Sequence, residues 1–165
     1  MKKYRDYAII TIDDDIIYTN DLIETLYNSY LKYPNCIHAR NVHKIITDNN
    51  NKVLPYNKWL QQYIFELNPS FYLFAESRGG ILFPPNILNI SDENIDEIFK
   101  CITAEDIYLK YLSKKRNIKI VWVPNKYSAG LEQVKYIKNK KSILYKRIVK
   151  KEKLYDICLH IFPIF

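Results

Sequence analysis

Three consecutive aspartates, Asp13, Asp14 and Asp15, follow directly on the apolar run YAIITI at residues 7–12. A short β-branched run of this kind reads as a buried strand. The aspartates are therefore expected at the carboxyl edge of a sheet, where open α/β folds bind their ligands. Carboxylates this close repel one another unless a cation neutralises them. Asp13 and Asp15 alternate along an extended chain and so face one ligand. Hard oxygen donors suit Mg²⁺ or Mn²⁺, and such an ion bridges a diphosphate. The same three residues also read as a solvated turn leading into a helix, and their spacing leaves both readings open.

A second acidic pair, Glu105 and Asp106, opens the segment AEDIYLKYL. Ile107, Tyr108, Tyr111 and Leu112 recur at helical spacing, which predicts a helix over 104–116 with Thr103 as its cap. The first turn of a helix favours ionised carboxylates through the backbone dipole. Acidic residues at that position also serve stability alone. Between the two acidic sites lies ESRGG, where Gly79 and Gly80 predict a tight turn or a surface that a side chain would obstruct. Arg78 beside them either meets an anionic ligand or is solvated.

The remaining elements must bring these segments together. Thr19 or Asn20 is expected to cap a helix with an apolar face of Leu22, Ile23, Leu26, Tyr30 and Leu31, stopped by Pro34. Residues 36–39, 70–74 and 118–123 read as strands, 47–52 as a polar loop, and Ile81–Phe83 as an apolar run leading to Pro84-Pro85. Residues 56–65, around Trp59, read equally as helix or strand. Ser91 is expected to cap an acidic helix running to Cys101. Leu131–Lys153 predicts a basic helix, followed by an apolar stretch over 154–165. The expected architecture is α/β, a mixed Rossmann-like sheet flanked by helices, with a catalytic part over 1–130 and a basic amphipathic tail over 131–165.

In this order, IITIDDDIIY, YLKYPNCIHAR, Tyr56 with Trp59, GGILFPPNIL and AEDIYLKYL resemble bacterial glycosyltransferases of the GT-A type, close to family two, which act in lipopolysaccharide or capsule assembly. The resemblance covers about residues 7–124. It implies that Asp13 and Asp15 hold Mn²⁺ or Mg²⁺ on the diphosphate of a nucleotide sugar, with Asp14 toward the ribose. It implies that Gly79, Gly80, Trp59 and Arg78 lie on the side of the glycan or lipid-linked acceptor. Asp106, with Glu105 as understudy, would be the base of an inverting transfer. Such domains open with strands and helices that bind the nucleoside. Only about six residues precede the first strand here, so that front half is expected to lie outside this chain, as in a truncated product or a split enzyme.

The 165 residues, 48% hydrophobic and 26% charged, suffice for one domain with a substantial core. The net charge of +7 gathers in the C-terminal stretch. There Lys138, Lys140, Lys141, Lys146, Arg147, Lys150 and Lys151 alternate with Ile137, Ile143, Leu144, Ile148 and Val149. Such a segment suits an anionic membrane surface, or packs its apolar stripe on the domain. No nucleic-acid reader motif is present. No apolar run approaches the ~20 residues that span a bilayer, and the apolar part of MKKYRDYAII is short for a signal peptide. Cys36, Cys101 and Cys158 are odd in number and lack CxxC spacing. Reduced thiols in a cytoplasmic protein are therefore expected, and the basic tail suits a peripheral place at the inner membrane face. His38, in a strand, His43, in the turn after it, and His160 lack zinc-ligand spacing. Two other classes remain open. One is a haloacid-dehalogenase-like phosphatase with Asp13 as nucleophile, for which the required downstream Ser/Thr and Lys are not evident. The other is a non-catalytic module that depends on a missing half.

Overall fold

The computed structural model describes residues 4–14, 16–88, 104–125, 135–136 and 154–165, together with Asp96, Phe99 and Cys101. Its centre is a four-stranded mixed sheet. β1 (Ile9–Thr11) pairs antiparallel with β6 (Ile81–Phe83), β6 antiparallel with β3 (Cys36–Ala39), and β3 parallel with β7 (Lys119–Trp122). β4 (Val42–Lys44) and β5 (Leu73–Ala75) form a separate antiparallel pair. β2 (Ile16–Ile17) pairs with β8 (Lys135–Tyr136). Three α-helices, α1 (Leu22–Lys32), α2 (Glu105–Lys115) and α3 (Leu154–Ile161), and two short 3₁₀ turns, Tyr56–Lys58 and Ser77–Gly79, complete the described elements.

The two-residue period of the strands divides the core in two. Ile37, Ala39, Ile81, Phe83, Ile120 and Trp122 face α2 and α3, where they meet Ile107, Tyr108, Leu112, Phe162 and Ile164. The intervening Cys36, Leu82 and Val121 face α1 and pack on Leu22 and Leu26. The second layer is the thinner, because α1 buries only those two leucines. Ile23 and Leu31, expected on its apolar face, are exposed.

Several local expectations need correction. α1 begins after Asp21, not Thr19 or Asn20, and Asp21 makes no side-chain cap bond. Its carboxylate is engaged instead by buried Arg40, at 2.9 Å. α2 starts after Ala104, again without a side-chain cap, so Thr103 is not its cap. His43 lies within β4 rather than in a turn. Lys135–Tyr136 is a strand, which interrupts the expected basic helix. The rest of 131–153, and most of the acidic helix expected over 91–101, fall outside the described residues. Residues 154–165 do not form a separate tail, since Cys158, Phe162 and Ile164 join the main core. Cys158 is bonded to Cys101, with Cα atoms 5.9 Å apart, and only Cys36 is free. Two of the three thiols expected to be reduced are thus oxidised. Disulfides are rare in reducing compartments, so free thiols no longer argue for the cytoplasm. Among the described residues, no helix is long and apolar enough to cross a membrane.

Candidate functional site

β1 and β3 run in the same direction as β7, and all three end on one edge of the sheet. The register pairs Thr11 with Ile81, Ala39 with Ile81, and Ala39 with Trp122. The residues following each strand therefore share that edge with the turn that precedes β6. Asp13 and Asp14 follow β1, Arg40 and Asn41 follow β3, and Glu76–Gly80 precede β6.

Tyr18 ties two of these segments together. Its hydroxyl accepts the Asp13 N–H at 2.9 Å and donates to the Arg78 carbonyl at 3.1 Å. Asp13 is half-buried and Asp14 exposed, while Asp15 lies outside the described residues. Glu105 is exposed at the start of α2, yet its carboxyl is pushed up by the protein packed against it and by repulsion from Asp13. The first acidic segment and the start of α2 thus meet at this edge. Among the described residues, no group of three or more His, Cys, Asp or Glu side chains is arranged to hold a metal.

The turn itself is built around Glu76, whose role was not apparent from sequence. Glu76 Oε2 accepts from Asn41 Nδ2 and, at 2.8 Å, from Arg78 Nε. His43 Nε2 stands 3.4 Å away, at ion-pair distance. His43 Nδ1 accepts the Gln62 N–H at 2.9 Å, which leaves Nε2 to carry the ring proton toward Glu76. Burial pushes the Glu76 carboxyl up, but the His43 ring N–H and the Arg78 guanidinium outweigh it and hold it below the ordinary range. Arg78, expected to meet an acceptor, has its Nε committed to this carboxylate.

Gly79 and Gly80 are both buried. A Cβ on Gly79 would stand 2.5 Å from Asn41 Cβ and 2.7 Å from its backbone N. Gly80 has φ +86°, a left-handed conformation that side chains resist, and a Cβ there would press on Leu22 at 3.0 Å. The chain's own packing therefore requires glycine at both positions. Trp59, also expected on the acceptor side, is 3% exposed. Its Nε1 donates to the Leu54 carbonyl at 2.8 Å, and its ring packs against Tyr56 and Phe74. Such a ring has no open face for a sugar and belongs to the core.

Asp106 points back from α2 toward this turn. Its Oδ2 accepts long hydrogen bonds from Ser77 N and Ser77 Oγ, both at 3.5 Å, and from Tyr155 Oη at 3.4 Å. Oδ1 is buried without a hydrogen-bond partner. The residue is 5% exposed. Burial pushes its carboxyl well above the ordinary range, and the negative charges of Glu105 and Glu76 push it further. One helical turn on, Lys110 is also buried, with Nζ donating to the Phe71 carbonyl at 2.6 Å. Burial, with Lys114 nearby, lowers its pKa to about 7.

The arrangement joins exposed acidic oxygens at a sheet edge to an enclosed carboxyl of raised basicity. The first suits a hard cation, and the second suits proton transfer. His38 is held apart from both, buried with Nδ1 2.8 Å from Ser29 Oγ. The chain matches no protein-family profile, no curated protein and no solved structure. What the fold and the site define is therefore a class by architecture alone, a mixed α/β domain with an acidic cluster at one sheet edge.

Proposed function

We propose that this chain is the metal- and acceptor-side part of a GT-A type glycosyltransferase. It would transfer a sugar, with inversion, from a nucleotide diphosphate to a glycan or lipid-linked hydroxyl. The observation that carries this reading is that Asp13, tied through Tyr18 to the Arg78 carbonyl, lies near enough for its charge to push up the carboxyl of Glu105, the chain neighbour of Asp106. Asp13 offers hard oxygens, and with Asp15 would hold Mg²⁺ or Mn²⁺ on the donor diphosphate, with Asp14 toward the ribose. When bound, the ion supplies positive charge to the leaving diphosphate.

Asp106 takes the acceptor's proton as its oxygen bonds to the anomeric carbon. The bond from that carbon to the diphosphate breaks, and its electron pair leaves with the diphosphate. A carboxyl of raised pKa is a stronger base once ionised, which suits this role. The acid is enclosed in this structure, so acceptor binding has to open its shell. Glu76, held ionised, fixes Arg78 and the turn against which the acceptor would lie.

The test is calorimetric titration of nucleotide diphosphates with and without Mn²⁺. It should be done on the chain and on a version extended at its N-terminus with a nucleoside-binding half. Metal-dependent binding by the extended version is expected, and is expected to vanish in Asp13→Asn. An extended, folded protein that binds no nucleotide diphosphate in Mn²⁺ would overturn the reading.

A further inference from the structure

Asp106 is reached from a distant part of the chain. α3 and the residue that follows it lie against the site through four separate ties. The Tyr155 ring stacks on Tyr56 with centroids 4.4 Å apart and planes 8° from parallel. Asp156 Oδ1 accepts the Tyr56 N–H at 2.9 Å. Cys158 is bonded to Cys101, which lies just before α2 in the chain. Phe162 packs on the rings of Tyr108 and Tyr111 of α2, at 5.0 and 5.3 Å. A phenol fixed in this way has little rotational freedom left to lose, and its hydroxyl falls 3.4 Å from Asp106 Oδ2.

The geometry points to Tyr155 as a positioning residue for Asp106, fixing which carboxyl oxygen is left to take a proton. Tyr155 and the two Ser77 donors all fall on Oδ2. Oδ1 is left with its lone pairs unfilled in a buried setting. On the reading of Asp106 as the base, on which this inference rests, Oδ1 is the atom that receives the acceptor's proton. The charged groups around Asp106 are Glu105 on its own helix and Glu76 from the β5–β6 turn, with Tyr155 facing it from α3. Lys110, on the next turn of α2, faces the Phe71 carbonyl. Burial and the neighbouring acids push the Tyr155 hydroxyl well above its ordinary range, so it stays protonated and donates.

The experiment is a carboxyl ¹³C NMR titration of Asp106 in the full oxidised chain, unaltered and as Tyr155→Phe. The substitution keeps the ring on Tyr56 and removes only the hydroxyl. With one donor to the carboxylate gone, the Asp106 midpoint is expected to move upward. A folded Tyr155→Phe whose Asp106 midpoint is unmoved overturns the inference. A second measurement needs no variant: in the unaltered chain, the Tyr155 Cζ resonance is expected to inflect at the Asp106 midpoint. Its absence also overturns the inference. Neither measurement uses a sugar donor. A shifted midpoint together with a transfer-inactive extended enzyme would therefore retain the Tyr155 geometry and discard the glycosyltransferase reading.

Discussion

Glu76 and Asp106 are carboxylates enclosed at the same end of the sheet, and their surroundings drive them in opposite directions. Glu76 gathers Asn41, His43 and Arg78 on a single oxygen, and these donors outweigh the cost of its burial. Asp106 receives three long hydrogen bonds from neutral groups and sits near two other acids. On the proposed reading, two titratable groups pushed apart in this way divide the labour of the site, one staying ionised as a fixed anchor and the other gaining and losing a proton. The contrast also separates structure from chemistry. Glu76 holds the β5–β6 turn together, whereas ionising Asp106 works against the fold.

Stability measurements can break this contrast. The largest effect is expected for Glu76→Leu, which strands Arg78, His43 and Asn41 without their acceptor. It should lower the unfolding free energy by about 3 kcal/mol in urea titrations. A negligible loss would mean that the turn holds without its anchor.

Asp106→Asn is expected to leave that free energy unchanged or raise it by about 1 kcal/mol near neutral pH, because the amide keeps the shape of the neutral carboxyl and removes a group whose ionised form is poorly compensated. In the extended enzyme the same change should cut transfer about a hundred-fold or more. The pH dependence gives the sharper contrast. The Glu76 contribution is present above its ordinary value of 4.5 and is lost as pH falls through its lowered value. The Asp106 contribution is full below its ordinary value of 3.8 and is lost as pH rises through its raised value. Substituting Glu76 should therefore flatten the acid limb of the stability curve, and substituting Asp106 the limb above it. The same slope change from both would refute the opposed assignment.

The smallest effect is expected at the exposed edge. Asp14→Asn should change stability by less than about 0.5 kcal/mol. A large loss there would show that the acidic run is built into the fold and is not merely presented by it.

The strands β3 and β7 were legible from sequence because each is a short, largely apolar run bounded by Pro or a polar turn. α2 was legible within a residue at each end from the spacing of Ile107, Tyr108 and Leu112, and with it the position of Asp106. β4 was hidden, since His43 and Lys44 break the apolar pattern and His43 is buried only because Glu76 and Gln62 meet its ring. Glu76 and Tyr155 were hidden for a related reason. Their partners lie 35 and 49 residues away in the chain, and no local period encodes such a contact. The ESR preceding the glycines offered the one hint, as a charged pair next to a tight turn. The Cys101–Cys158 bond spans 57 residues, and counting cysteines could not have paired it.

The bond between Asp156 and the Tyr56 N–H joins positions 100 residues apart. At a synthesis rate of about 5–20 residues per second, Tyr56 leaves the ribosome some ~5–20 s before its partner. During that interval Tyr56, Trp59 and Phe74 have no α3 to cover them. The nascent chain thus carries an aromatic surface that waits for a segment synthesised 100 residues later to close it.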